Sequence, residues 1–219
     1  AGSPSHICEI EHHIMGGVRN AAEPRRILVA GGGTGDATVM LAAQHAAAGI
    51  DAEIIHLDIS EASSAIAKSR IDARGLTNTK FVHGAIEAIA ERDLGTFDYI
   101  DCCGVLHHLA DPAAGLMALA DAMADDGGMG MMLYGTLGRT GVYPMQEMLR
   151  ALVHDAPADE RLATARKLLA ALPDTNWLSR NEFLGDHLDG DDAGLFDLLL
   201  HDRDRAFMVE EIAHLIDGS

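Results

Sequence analysis

Residues 25–42 read RRILVAGGGTGDATVMLA, and this stretch decides how the chain folds. The apolar run Ile27 to Ala30 meets four glycines within positions 31 to 35, and an Ala-, Leu- and Met-rich segment follows. A short apolar run that stops at glycine predicts a buried parallel strand. The segment from Asp36 to Ala48 predicts a helix that closes near Gly49. Glycines in the turn between them allow positive φ and let a ligand approach the backbone closely. The helix start behind them offers unpaired N–H groups and the positive end of a dipole.

The spacing says which ligand fits. Gly31, Gly33 and Gly35, with Gly32 between them, form G-x-G-x-G. The dinucleotide fingerprint G-x-G-x-x-G would place Asp36 at its last glycine, and the phosphate-binding P-loop needs a lysine that is absent here. A carboxylate at Asp36 also disfavours a pyrophosphate at the helix start. A nucleoside that carries a carboxylate and no phosphate suits this turn. An empty tight turn is the alternative, and four glycines at one strand end weigh against it.

Outward from this turn, strand and helix patterns alternate. EIIHLD (53–58) is a second strand, and Ser60 caps a helix from Glu61 to about Arg74, stopped by Gly75. TKFVHG is a third strand, AIEAIAERD a short helix, and FDYIDCC (97–103) a fourth strand. Asp111-Pro112 starts a helix that ends near Asp126-Gly127-Gly128, and MGMMLY is a fifth strand. Such alternation predicts an α/β fold with a parallel sheet covered on both faces. After Tyr134 the pattern is helical, with VYPMQEMLRALVHD, ADERLATARKLLAAL, GLFDLLL and MVEEIAHLID, and no sixth strand stands out. Asp58 ends the second strand, where a carboxylate can accept hydrogen bonds from both ribose hydroxyls. The alternative is an acid that serves the helix start at Ser60.

Composition bounds the rest. The 219 residues carry a formal charge of −18 with 48% hydrophobic residues, which describes a folded acidic domain. Such a charge repels phosphate backbones, so nucleic acid is not an expected partner. No run is long and apolar enough to span a membrane, and AGSPSHICEIEHHIMGGV lacks the pattern of a secretion signal. Cys8, Cys102 and Cys103 show no zinc spacing, so free thiols in the cytoplasm are expected. DGDDAG at 189–194 resembles the start of a calcium loop, but Ala193 and Leu200 occupy ligand positions. His12-His13 and His107-His108 lack metal spacing, and no required metal is expected.

The ordered set ILVAGGGTGD, IIHLDIS, FVHGAIEAI, FDYIDCCGVLHHLADP and GGMGMMLY resembles the class I S-adenosylmethionine-dependent methyltransferase family over about residues 25–135. The resemblance implies a three-layer αβα, doubly wound, mostly parallel sheet of Rossmann-like type. It implies S-adenosylmethionine as cofactor and S-adenosylhomocysteine as product. Gly31, Gly33 and Gly35, with Gly32, would run beneath the methionine moiety. Asp58 would hold the ribose and Ile59 would lie against the adenine. Ala85 and Ile86 would stand at the adenine edge, and Cys103 and Gly104 near the methionine part. Two positions depart from the family: Val29 stands where an acid often precedes the first glycine by two residues, and Ala85 where an aspartate is frequent, with Glu87 nearby. The family sheet has seven strands ending in an antiparallel hairpin. This sequence stops at HLIDGS, in a helix that would precede the sixth strand. We therefore expect either a shortened chain or a lineage in which helices replace the hairpin.

These readings divide the chain into an N-terminal extension (1–22), a cofactor-binding α/β core (23–135) and a helical C-terminal region (136–219) that covers the substrate site as part of the same domain. Methyl transfer requires alignment and exclusion of water, and a base only where the acceptor keeps its proton. His107 is the candidate base, with packing of the following helix as the alternative. Tyr134, Arg139 and Tyr143 are candidate contacts to a small-molecule acceptor, with Arg139 suited to an anion. Arg180, His201, Arg203 and Arg205 lie among acids and read as internal ion pairs. A homodimer is left open. Two other functions compete: a non-catalytic cofactor-binding or interaction domain of a larger protein, and a nicotinamide-dependent oxidoreductase, which the glycine spacing disfavours.

Overall fold

The computed structural model describes residues 10–14, 16, 23–185 and 192–218. Cys8, most of the N-terminal extension and the first three residues of DGDDAG lie outside them. The chain separates into two compact units, Ala1–Leu133 with His214–Ser219, and Tyr134–Ala213.

The first unit is built on five strands: β1 (Arg25–Ala30), β2 (Ala52–Asp58), β3 (Thr79–His83), β4 (Phe97–Cys103) and β5 (Met123–Met132). All pair in parallel, in the order β3-β2-β1-β4-β5. The chain steps outward from β1 to β3, then returns to the other side of β1 for β4 and β5. This is the expected doubly wound sheet, here wholly parallel. Successive side chains on a strand face opposite ways, so each strand feeds two cores. Ile27, Val29, Ile54 and Tyr99 pack with Val39 and Leu41 of helix α1 (Asp36–Ala48) and Ile71 of helix α2 (Glu61–Asp72). Leu28, Ala30, Ile55, Leu57, Ile100 and Cys102 pack with Ile86 and Ile89 of a 3-10 helix (Ile86–Arg92), and with Leu116 and Leu119 of helix α3 (Pro112–Asp121).

Local chemistry sets the ends of these elements. Helix α1 lies between Gly35 and Gly49, both in the left-handed region. The Ser60 side chain accepts the Ser63 N–H at 3.2 Å at the start of α2. Asp111 accepts the Ala113 and Ala114 N–H groups ahead of Pro112 at the start of α3. Cys102 is buried in the core on one face of β4, and Cys103, which faces the other way, is exposed.

One boundary differs from the sequence reading. Helix α3 stops at Asp121, and β5 begins at Met123 rather than Met129. Phe97 pairs with Met123 but Tyr99 pairs with Gly128, so residues 124–127 form a bulge inside the ladder. The Asp-Asp-Gly-Gly run reads as a turn because bulges and turns favour the same residues.

The second unit is helical. Helices α4 (Val142–Val153), α5 (Ala158–Ala170) and α6 (Asp192–Leu200) share a core of Val142, Met145, Leu149, Ala165, Leu195 and Leu198. An isolated parallel bridge joins Gly135 and Phe207. Helix α7 (Val209–Asp217) follows. Among the described residues no helix is long and apolar enough to cross a membrane, and the sheet has no antiparallel hairpin.

Candidate functional site

In a doubly wound sheet, ligands bind at the carboxyl ends of the strands, where the strand order reverses. Here that point lies between β1 and β4. The glycine loop leaves β1 there and is tied to its neighbour: the Gly31 and Gly32 N–H groups both donate to the Leu57 carbonyl, at 2.8 and 3.1 Å. Gly33 has φ 52°, and no atom lies within 4 Å of where its Cβ would stand. A side chain at Gly33 would strain the backbone and fill open space in which a ligand can meet the chain.

Asp58 closes the loop from below. Its Oδ2 accepts the Gly33 N–H at 2.7 Å, and its Oδ1 accepts the Ser60 N–H at 2.6 Å. The carboxylate therefore supports the start of α2, the alternative raised by the sequence, and also ties down the glycine loop. Each oxygen keeps acceptor capacity beyond one bond, enough for ribose hydroxyls. The next residue, Ile59, is 72% exposed, an apolar side chain beside a carboxylate and suited to one face of a base. The His83 ring holds the Ile59 carbonyl at 2.9 Å, and the Gly84 N–H donates to the Asp58 carbonyl at 3.0 Å. Ala85 caps the 3-10 helix while the Ile86 side chain is buried in the core. Past β4, Gly104 has φ 80° and its N–H donates to the Met132 carbonyl at 3.2 Å. Burial, with the Asp101 charge second, raises the Cys103 thiol to about 11 and the Cys102 thiol to about 12. Both are thiols rather than thiolates at neutral pH and so are poor nucleophiles.

His56 was absent from the sequence reading and is central to the loop. It is fully buried on β2. Its Nδ1 lies 2.8 Å from Thr38 Oγ1 on α1, and its Nε2 lies 3.3 Å from Ser64 Oγ on α2. The ring packs on Phe81 of β3, with centroids 4.9 Å apart, and fills the space a Gly32 side chain would need. The available signal was a histidine inside an otherwise apolar strand. Burial lowers its pKa from 6.5, and Asp58 opposes that shift. The unfolded chain therefore takes up this proton more readily, so the stability His56 contributes is complete above about pH 6.5 and is lost as pH falls through the lower folded value. Urea midpoints measured from pH 7.5 to 5 should decline below about pH 6.5, and His56→Gln should flatten that decline. An unchanged decline in the variant would assign the acid lability to another group.

His107 is 1% exposed in the short turn Leu106–His108, its ring edge-on to His108 at 4.2 Å between centroids, while His108 is half-buried. In the second unit, Tyr134, Arg139 and Tyr143 are brought together. The Arg139 guanidinium lies 3.7 Å from the Tyr134 ring centroid and 5.8 Å from that of Tyr143. It donates to Asp204 Oδ2 at 2.8 Å, and Asp204 also accepts from Gln146 at 2.7 Å and the Tyr143 hydroxyl at 3.4 Å. The Tyr134 hydroxyl donates to Asp197 at 3.0 Å. Burial, then Asp204, pushes the Tyr143 phenol up to about 12, and burial, then Asp197, raises Tyr134 as well. Asp204, Gln146 and Asp197 were invisible in the sequence, because their partners lie about fifty or more residues away. Of the other charged candidates, Arg205 pairs with Glu211 at 3.0 Å, and Arg180 lines a groove of about 530 Å³ with Leu137, Trp177 and Phe183.

Comparison with known proteins agrees with this geometry. Residues 28–129 match the family described as a methyltransferase domain. An uncharacterized protein of Synechococcus sp. is 34% identical over 198 residues, covering 89% of this chain and 46% of that protein. The chain thus spans about half the length of this curated relative. The structure of PKMT2 from Rickettsia typhi superposes with a TM-score of 0.69 at 19% identity, over 88% of this chain and 38% of that one. The plantazolicin methyltransferase BamL, solved with S-adenosylhomocysteine (SAH), superposes with a TM-score of 0.55 at 18% identity, over 97% and 60%. The sequence match and the parallel sheet that carries the glycine loop agree: residues 28–129 match a methyltransferase domain, consistent with the class I S-adenosylmethionine-dependent methyltransferases.

Proposed function

We propose that this chain binds S-adenosylmethionine across the carboxyl ends of β1, β2 and β4 and transfers its methyl group to a small-molecule acceptor. The observation that carries this reading is Asp58, a buried strand-end carboxylate bonded to the glycine loop with acceptor capacity to spare. The residues present fit the cofactor: Gly33 leaves the backbone open, Ile59 offers an apolar face for the base, and Gly104 turns the chain away beyond β4. PKMT2 was solved in complex with AdoHcy and BamL with SAH, which supports the same ligand here.

When bound, the cofactor supplies a methyl group on a sulfonium, open to in-line displacement by the acceptor. The chain's own contribution is alignment. Asp58 and the Gly31–Gly35 loop fix the nucleoside, and we assign acceptor contacts to Tyr134 and Tyr143, with Arg139 engaged by Asp204. His107 is the proposed base for an acceptor that keeps its proton. Its burial means that the Leu106–His108 turn must shift before the ring can meet an acceptor. His107→Gln should then lower turnover about 100-fold and leave SAH affinity unchanged, and unchanged turnover would remove His107 from the chemistry. We place the protein in the cytoplasm, where Cys102 and Cys103 stay reduced.

Incubation with methyl-labelled S-adenosylmethionine and a fractionated metabolite pool tests the function, with label expected in one low-molecular-weight fraction. A second reading, a non-catalytic cofactor-binding domain, is favoured by Val29 and Ala85, where the family often carries acids. It gives SAH binding with no labelled product. Tight NADH binding without SAH binding would replace both readings with an oxidoreductase.

A further inference from the structure

We propose that the groove between residues 137–140 and 177–183 binds a small planar aromatic molecule that carries one anionic group. The groove lies wholly within the second unit, so the proposal stands apart from the cofactor reading.

Two stretches far apart in sequence form its walls, and hydrogen bonds hold them together. The Asn181 side-chain amide donates to the Gly138 and Thr140 carbonyls, both at 3.1 Å. The Asn181 side-chain oxygen accepts the Phe183 N–H at 3.1 Å, and Asn176 Oδ1 accepts the Leu178 N–H at 2.8 Å. Leu178 itself is buried in the helical core. Gly141, with φ 94°, lets the chain pass against the backbone of Trp177 and Leu178, where a side chain would collide. A groove held in this way costs a ligand less ordering entropy. Its volume of about 530 Å³ falls within the roughly 300–1,000 Å³ of small-molecule sites.

This frame holds apolar side chains out of the core. Leu137, Trp177 and Phe183 are 74%, 68% and 92% exposed, and all three line the groove. Single exposed apolar residues are ordinary, whereas several in one concavity mark a contact surface. The indole and the phenyl ring offer flat faces to an aromatic ligand. The charge comes from Arg180. Its sequence context reads as an internal ion pair, yet no carboxylate among the described residues pairs with it. Arg139, the cation that the sequence offers to an anion, is bonded to Asp204. Arg180 instead keeps its planar donors for a carboxylate, sulfonate or phosphate. Glu182 lines the same groove and repels a second negative charge, which limits the ligand to one anionic group.

Fluorescence titration of the full chain with two dyes tests this. Anilinonaphthalene sulfonate carries the anionic group, and N-phenylnaphthylamine has the same rings without it. The sulfonate should bind the wild-type chain more tightly than the neutral dye and quench Trp177, the single tryptophan. Arg180→Gln should weaken the sulfonate about tenfold, the scale of a lost charge-assisted hydrogen bond, and leave the neutral dye within about twofold. Phe183→Ser should weaken both dyes about fivefold or more, because both lose an aromatic face. Arg180 and Phe183 are exposed, so both variants should keep the wild-type Tm. Equal weakening of the two dyes in Arg180→Gln, or unchanged affinity for the sulfonate, would overturn the proposal. Full affinity for both dyes in Phe183→Ser would place the dyes elsewhere and overturn it as well. No S-adenosylmethionine is present in these titrations, so failure of the cofactor reading leaves their outcome unchanged.

Discussion

Asp58→Ala should abolish most of the thermal stabilisation that S-adenosylhomocysteine confers. At a ligand concentration one hundred times its dissociation constant, the wild-type chain should gain about 2.7 kcal/mol, seen as a rise of roughly 5–10 °C in Tm for a chain of this size. In the proposed site the Asp58 carboxylate accepts both ribose hydroxyls. Losing two bonds to an ionised acceptor costs about 2–3 kcal/mol of binding, so affinity falls roughly 30- to 150-fold. At the same ligand concentration, under about 1 kcal/mol of stabilisation remains. The substitution also strips acceptors from the Gly33 and Ser60 N–H groups, so the unliganded variant should itself melt lower, by about 1–3 kcal/mol. The two effects separate cleanly, because one appears without ligand and the other only as the ligand-induced shift. A variant that melts lower yet keeps the full shift would leave Asp58 with a structural role alone. Absence of any shift in the wild type would remove the cofactor from the site.

Where local chemistry dictates structure, the sequence was readable. Helix α1 was placed from Asp36 to Ala48 because a glycine bounds it at each end, and β4 was bounded correctly because its run is apolar and aromatic between polar turns. The start of β5 was not readable, since Asp125 to Gly128 looks like a turn and only pairing with β4 shows it to be a bulge. The same division holds for the site. Gly33 and Asp58 carry local signatures at strand ends. His56 and Asp101 are polar residues in apolar strands, and nothing local says which backbone or ligand they face. What His56 does follows from α1, α2, β3 and Gly32 meeting around one ring, and that meeting is set by topology.

Arg139 shows the same limit from the other direction and leads to the second large effect. From the sequence, Arg139 is a candidate contact suited to an anionic acceptor. Arg139 is instead only 5% exposed, and its guanidinium donates to Asp204, whose side chain is wholly buried. Arg139→Met keeps much of the stem that packs near Tyr134 and Tyr143 but leaves the Asp204 carboxylate buried without its cation. That state should cost about 3–5 kcal/mol, a large part of the roughly 5–15 kcal/mol that holds a domain folded. The single tryptophan, Trp177, lies in the second unit and gives a local fluorescence probe for urea unfolding. The double variant Arg139→Met/Asp204→Asn removes the stranded charge and retains an acceptor for Gln146, so it should recover most of the loss. This non-additivity is the signature of a coupled pair. A single-variant cost under about 1 kcal/mol, the range of a solvated ion pair, would mean that Asp204 does not depend on this guanidinium. Arg139 would then be available to bind an anionic acceptor. A large cost with recovery in the double variant would instead fix Arg139 as the anchor of the segment after β5, leaving Tyr134 and Tyr143 as the candidate acceptor contacts.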